Sequence, residues 1–272
     1  MANDLETKVE REGNVTTITK PEGKYTVIYG HHEIQQNPKQ IPNNTNAIFL
    51  ELVNPHMYSS PEVLIERCKT HKQYSHMMSK LEDKKIALYF PDISIRYVNK
   101  TIRKLNFAYP LEFADSYCVL RLLDNDIFRL LKKQGNSKLL CKEKKELTSK
   151  LASFGDIYLD IAYKIEPKTT AFFFTLRNLL ISHKMDWFAK NFNVNTTLLI
   201  GAFHRGIENC LQYDSEQRIN KIEKMNTLIT GEINSGNLVP DSVYKLIRFD
   251  YDGNEWKSEI YEIPELKELI AK

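Results

Sequence analysis

The chain has 272 residues, of which 42% are apolar and 11% aromatic, enough for a sizeable core and too many for global disorder. Its net charge of +3 is small and its lysines lie beside acidic residues, so the composition does not indicate a nucleic-acid surface. Four widely spaced cysteines without a C-x-x-C pair indicate neither a zinc knuckle nor a disulfide framework.

The amino-terminal region is predicted to alternate strands with one helix. No apolar stretch typical of a secretory signal precedes it, and no apolar run in the chain reaches the ~18–20 residues that cross a bilayer. We therefore expect a cytoplasmic protein without a membrane span. The predicted elements are an edge strand at 15–19, strands at 24–30, 46–53 and 85–90, and a helix that starts at Ser60-Pro61 and runs to about residue 80.

The rest of the chain is predicted to be mostly helical. A helical middle block at about 97–165 is followed by a helix at 169–192, a strand at 196–201, a helix that starts at residue 206 and a helix at 214–225. A turn signal at 251–254 predicts a hairpin at about 240–263. These elements indicate a single α/β domain with its core at about 24–212, built on a central mixed, largely parallel sheet with flanking helices.

Two predicted strands end in a glycine that is followed by histidine. Gly30 precedes His31, His32 and Glu33, and Gly201 precedes His204 by three residues. The carboxyl ends of parallel strands are where α/β folds keep their chemistry, because polar side chains and helix N-termini converge there. We therefore predict that the two turns form two halves of one site.

Other polar residues interrupt apolar segments. Glu51 lies in an apolar strand, where an ionised carboxylate needs a partner. Asp92 follows a strand, either as a helix N-cap or as a site residue. Arg177 and Asn178 lie in an apolar helix, and a charge there needs an anionic partner. Five further residues are expected at the surface: His56, His71, His76, His183 and Asp186.

Five segments in this order resemble the TraB/PrgY family of the Tiki-like superfamily. That family has two strands ending in Gly-x-x-His turns, a strand with a glutamate, an Asp-Arg-x-Ile-x-Ile-type segment and a helix with Arg-Asp or Arg-Asn. The matching segments here are 27–33, 48–52, 92–96, 176–179 and 199–206. The first turn departs from the pattern, since Glu33 stands at the family's histidine position unless a one-residue shorter turn places His32 there.

The resemblance implies a metal-dependent hydrolase that cleaves a peptide or another amide or ester bond. It implies a divalent ion, manganese or cobalt, held by His204, by His32 or His31, and by Glu51. Glu33 or Glu51 would act as general base. Arg177 would steady developing negative charge or orient that carboxylate, and the family pattern also assigns Asn178 and Asp92 to the catalytic site.

Two alternatives stay open at this point. The altered first turn favours a non-catalytic protein that binds peptides, as PrgY-like pheromone inhibitors do. A metal-free hydrolase that uses histidine and glutamate as acid and base is similar to the erythromycin esterases, which are more distant relatives of the same superfamily. In each case the expected partner is a peptide or a small-molecule substrate.

Overall fold

The computed structural model describes residues 7–21, 23–30, 38–51, 55–58, 60–70, 74–84, 86–94, 175–201, 204 and 206–271. The predicted helical middle block and the residues of the first turn, His31, His32 and Glu33, lie outside these ranges. The strands are β1 Lys8–Glu12, β2 Val15–Lys20, β3 Gly23–Gly30, β4 Ala47–Leu50, β5 Ala87–Phe90, β6 Thr196–Gly201, β7 Lys245–Tyr251 and β8 Trp256–Glu262.

Helices cover the strands on both sides. They are α1 Pro61–Thr70, α2 Ser75–Lys84, α3 Arg177–Phe192, α4 Ile207–Gln212, α5 Ser215–Glu223, α6 Asn226–Asn234, α7 Asp241–Tyr244 and α8 Pro264–Ala271, with 3-10 turns at Pro38–Gln40 and Pro55–Met57. Among the described residues, no helix combines the length and the apolar character needed to cross a membrane.

The strands form one mixed sheet in the order β1-β2-β3-β6-β4-β5-β7-β8. The four central strands run parallel, while β1, β2, β7 and β8 pair antiparallel at the two sides. The predicted α/β class with a largely parallel sheet and a carboxyl-terminal hairpin is therefore confirmed. The hairpin continues the central sheet, because β7 pairs with β5.

Alternate side chains of the central strands enter two different cores. On one face, residues such as Tyr25, Phe49 and Leu198 pack against α3 and α4. On the other face, Ile48 and Leu199 pack against α1 and α2. Because both faces are buried, the central strands are continuously apolar, which is typical of parallel sheets.

The single helix predicted from residue 60 to about residue 80 is wrong, since the chain forms two helices there. α1 ends at Thr70, whose hydroxyl donates to the carbonyl oxygen of Glu66 at 3.0 Å. Tyr74 then starts α2, and its buried hydroxyl donates to the carbonyl oxygen of Glu51 at 2.6 Å. The start of α2 thus coincides with a contact made across the fold, which the local pattern of the segment does not reveal.

Phe49 tests how strongly the core depends on its aromatic packing. The ring of Phe49 is fully buried and stacks on Tyr89 with centroids 4.8 Å apart. Phe49→Ala is expected to lower the free energy of unfolding in urea by about 3–5 kcal/mol, because it removes buried area and leaves a cavity. The control Ile260→Ala, at a side chain that is 57% exposed, should change it by less than about 0.5 kcal/mol. Equal losses in the two variants would contradict this assignment of the core.

Candidate functional site

The two glycine turns start side by side. β3 and β6 are parallel neighbours, and Gly30 is paired with Gly201 in their register. Neighbouring strands lie about 4.8 Å apart, so the second turn begins next to the point where β3 ends. The residues that follow Gly30 lie outside the described ranges, whereas His204 is described.

The second turn returns His204 toward the sheet. The backbone N–H of His204 donates to the carbonyl oxygen of Gly201 at 3.0 Å, and the N–H of Ile207 donates to the carbonyl oxygen of His204 at 3.2 Å. Gly206 then adopts a φ of +92°, a conformation open to glycine and strained for other residues, and α4 begins. These two hydrogen bonds and the positive φ of Gly206 connect the end of β6 to the start of α4.

The site lies where the chain leaves the sheet in opposite directions. After β4 the chain continues to α1 on one face, and after the adjacent β6 it continues to α4 on the other face. Glu51 directly follows β4, and His204 follows β6. A crevice between such strands is the usual ligand position in open α/β sheets.

A buried ion bridge occupies this crevice. Arg177 donates from Nη2 to Oε1 of Glu51 at 2.9 Å and to Oδ2 of Asp92 at 2.5 Å, and from Nε to Oδ1 of Asp92 at 2.9 Å. All three residues are at most 3% exposed. Burial disfavours the charged guanidinium, but the two carboxylates outweigh burial and raise the pKa of Arg177 above its ordinary value.

His204 is held between a carboxylate and an amide. Its Nε2 lies 3.0 Å from Oε1 of Glu51, and its Nδ1 lies 2.6 Å from Oδ1 of Asn178. Because an ionised carboxylate only accepts hydrogen bonds, Nε2 carries a hydrogen. Successive helical residues point about 100° apart, so Asn178 reaches His204 while the preceding Arg177 reaches the carboxylates.

Glu51 is the common member of these contacts. Its second oxygen, Oε2, accepts a hydrogen bond from the backbone N–H of Gly201 at 2.6 Å. The carboxylate of Glu51 therefore contacts both the start of the second turn and His204. Tyr74 donates to the backbone oxygen of Glu51. Burial, and then the charge of Glu51, raise the pKa of Tyr74, which keeps its hydroxyl protonated as a donor.

The described residues of the site do not fit the divalent ion implied by the resemblance. The oxygens of Glu51 and Asp92 already accept from Arg177, from His204 and from backbone N–H groups, including that of Ile93 at 2.8 Å. Among the described ranges, no group of three or more His, Cys, Asp or Glu side chains is arranged to hold a metal. The guanidinium of Arg177 lies between the carboxylates of Glu51 and Asp92, in the position that a metal ion bound by both carboxylates would take.

The structure thus brings five predicted site residues together: Glu51, Asp92, Arg177, Asn178 and His204. The remaining three, His31, His32 and Glu33, cannot be placed because they lie outside the described residues. The carboxylate of Asp92 accepts hydrogen bonds from the N–H of Ile93 and from Arg177. Within the described residues Asp92 does not begin a helix.

Comparison of the chain with protein-family models, with curated proteins and with solved structures found no match. The resemblance to the TraB/PrgY family therefore stays a prediction from the five sequence segments.

The prediction that His183 and Asp186 lie at the surface is wrong, because both residues are only 1% exposed. Asp186 accepts a hydrogen bond from Tyr25 at 2.8 Å and forms ion pairs with Arg218, with Lys190 at 2.8 Å and with Lys20 at 3.5 Å. Burial raises the pKa of Asp186, but the charge of Arg218 and then those of the lysines lower it below its ordinary value. This second network joins β2, β3, α3 and α5.

A local signal for the second network is present in α5. Arg218 lies four residues before Ile222, and both are fully buried, so the arginine belongs to the apolar stripe of this amphipathic helix. A charge in such a stripe indicates a buried partner. The sequence does not indicate that this partner is Asp186, 32 residues away.

Lys184 is a third buried charge that the sequence analysis missed. It follows Arg177 by seven residues, on the same face of α3. Its Nζ donates to the carbonyl oxygens of Ser242 at 2.6 Å and Lys245 at 2.9 Å. Burial lowers the pKa of Lys184 to about 7, against the opposing charge of Asp92.

Replacing Arg177 tests the ion bridge. Arg177→Met leaves two buried carboxylates without their cation and is expected to cost about 3–5 kcal/mol of unfolding free energy. Arg177→Lys keeps the charge but lacks the fork that contacts both carboxylates, so its loss should be intermediate. The control Arg248→Met removes an arginine that is 25% exposed and pairs with Asp250, with an expected loss of about 1 kcal/mol or less. Urea unfolding of the four proteins gives the comparison, and a loss in Arg177→Met no larger than in the control would contradict the bridge.

Lys184 predicts a pH dependence of stability. In the unfolded chain its pKa is near 10.5, and in the fold it is about 7. Between these values the unfolded state binds more protons, so the stability of the wild-type protein rises with pH relative to Lys184→Met, by at most about 1.4 kcal/mol per pH unit. Urea unfolding of both proteins from about pH 7 to about pH 9 measures this difference. Parallel curves would show that Lys184 keeps an ordinary pKa.

Proposed function

We propose that the chain is a hydrolase that cleaves an amide or ester bond, in a peptide or a small molecule, by acid–base chemistry at His204 and Glu51. The observation that supports this most is the contact between these two side chains at the crevice of β4 and β6. A histidine oriented by a carboxylate is a recurrent device for moving a proton.

Glu51 acts as the positioning residue in this proposal. It accepts the hydrogen on Nε2 of His204, and Nδ1 becomes able to take a proton once Oδ1 of Asn178, which only accepts hydrogen bonds, no longer faces it. Nδ1 removes a proton from water while the water oxygen bonds to the carbonyl carbon of the substrate. The same proton then passes to the leaving nitrogen or oxygen as the amide or ester bond breaks, so the ring returns to its initial state.

Asn178 covers Nδ1 in the resting site at 2.6 Å. The proposal therefore requires this amide to rotate aside when the water enters. Arg177 and Asp92 do not touch the reacting atoms, and they act by holding the carboxylate of Glu51 in place. Of the two roles that the resemblance implies for Arg177, its contacts favour orientation of the carboxylate.

The described donor set supports a route without a metal. A divalent ion, manganese or cobalt, stays a prediction of the sequence resemblance, and it would need ligands from His31, His32 or Glu33 as well as release of His204 or Glu51 from present partners. No step above depends on it.

A non-catalytic peptide-binding role is the second candidate: the altered first turn of the sequence favours it, and the closure of the site argues against turnover. The side chains of Glu51, Asn178 and His204 are only 2–5% exposed, and each is held by other groups of the protein. Polar networks of this kind also stabilise folds without chemistry. The two candidates differ in turnover, which can be measured.

A library of fluorogenic peptides and esters tests the proposed hydrolase. His204→Gln and Glu51→Gln are expected to lower kcat by about 10²–10⁴-fold, the usual contribution of a positioned acid–base group. Glu268→Gln, at an exposed glutamate of α8, is the matched control and should keep full activity.

Two further outcomes separate the candidates. Turnover that survives a chelator supports the route without a metal, and turnover that returns only with manganese or cobalt supports the predicted ion instead. A wild-type chain that binds peptides and cleaves none of the library would contradict the hydrolase and favour the binding protein.

A further inference from the structure

A histidine is buried in α3 without a hydrogen-bond partner. His183 is 1% exposed, and among the described residues neither Nδ1 nor Nε2 of its ring has a partner. An imidazole is tolerated in such a place only while it is neutral, because a charged ring would lose its hydration and gain no hydrogen bond. Burial, and then the charge of Arg218, accordingly lower the pKa of His183 to about 4.

The charges around this ring also disfavour a second cation. The charged groups that affect it most are Arg218 of α5 and, on α3 itself, Asp186, Lys190 and Lys184. Asp186 is the anion of this group, and its carboxylate already pairs with Arg218 and with Lys190 at 2.8 Å and accepts from Tyr25 at 2.8 Å. A proton on the ring would therefore add positive charge where the neighbouring carboxylate is already shared between cations.

Arg218 ties α5 to α3 and is the cation that opposes a proton on His183. It is fully buried, and its Nη2 donates to Oδ2 of Asp186 while its Nη1 donates to the carbonyl oxygen of Cys210 at 3.1 Å. A neutral imidazole keeps one acceptor nitrogen, whereas an imidazolium has only donors. Protonation of His183 thus places donors and positive charge beside the donors of Arg218.

Helix α4, which also packs against α3, does not compensate this charge. The thiol of Cys210 is neutral, because burial raises its pKa to about 11. Glu208 is the acidic residue of α4, and it accepts from Thr16 of β2 at 3.2 Å and pairs with Arg11 at 3.8 Å. The energetic cost of an imidazolium at this position is therefore relieved by opening the contact between α3 and α5.

We propose that protonation of His183 separates α5 from α3, so that these two helices form an acid-sensitive switch. In the closed state the pKa of His183 is about 4, and in an open state with a hydrated ring it returns to its ordinary value of 6.5. Between these values the open state binds more protons than the closed state, so its population rises as the pH falls. This switch does not depend on the proposed hydrolase.

Amide hydrogen exchange of the full chain tests the switch. His183→Phe keeps a ring but cannot take a proton, and His183→Leu is a second neutral variant. At about pH 7 the amides of α5 should exchange at similar rates in the wild type and the variants, and at about pH 5 they should exchange roughly tenfold faster in the wild type. Comparison at one pH removes the intrinsic effect of pH on exchange.

Two controls locate the response. His56→Gln removes another histidine whose Nε2 is buried without a partner in the described part of the chain, and it should respond to acid as the wild type does, because His56 lies outside α3 and α5. Helix α1 is the internal reference, and in the wild type alone the exchange of α5 relative to α1 should rise by roughly tenfold from about pH 7 to about pH 5.

Two results would overturn the proposal. Equal exchange of α5 in the wild type and the neutral variants at about pH 5 would show that His183 is not the proton acceptor. An acceleration in α1 as large as that in α5 would show unfolding of the whole domain by acid in place of a switch between two helices. The ratio within the wild type keeps the test decisive even where a variant does not fold.

Discussion

The arrangement of this protein depends on one buried guanidinium. Arg177 bridges Glu51 and Asp92, which follow β4 and β5, from the first described turn of α3. Removing three charges from water is costly, and their attraction offsets the cost only when the geometry is good. The bridge therefore forms only when β4, β5 and α3 are all in place. Its three contacts are made only in the native packing of these elements.

The same ion bridge also orients the side chains of the crevice between β4 and β6. Glu51 shares its carboxylate between Arg177, the backbone of Gly201 and His204, so the orientation of the histidine ring follows from a structural ion pair. In a buried site, each of these interactions is stronger than at the surface. A fixed, closed network stabilises the fold, and a reaction at His204 requires part of it to open.

Helix α3 concentrates the buried charge of the described residues. It carries Arg177, Lys184 and Asp186, and each is satisfied by a different part of the chain. Arg177 contacts the ends of two strands, Lys184 binds the carbonyl oxygens of Ser242 and Lys245, and Asp186 joins α5 and β3. The helix thus connects the sheet to the carboxyl-terminal helices through polar contacts as well as through its apolar side chains.

Local patterns of the sequence predicted seven of the eight described strands, all but β1, and the polar positions that follow them. The apolar run that ends at Gly201 predicts β6 at its observed bounds, and polar residues after apolar runs identify Glu51 and His204. The folded structure was needed to show that β6 lies between β3 and β4, that Asp186 is buried, and that Arg177 pairs with Glu51 across 126 residues. Strand order and charge pairing are contacts between distant segments, and no pattern within either segment specifies the partner.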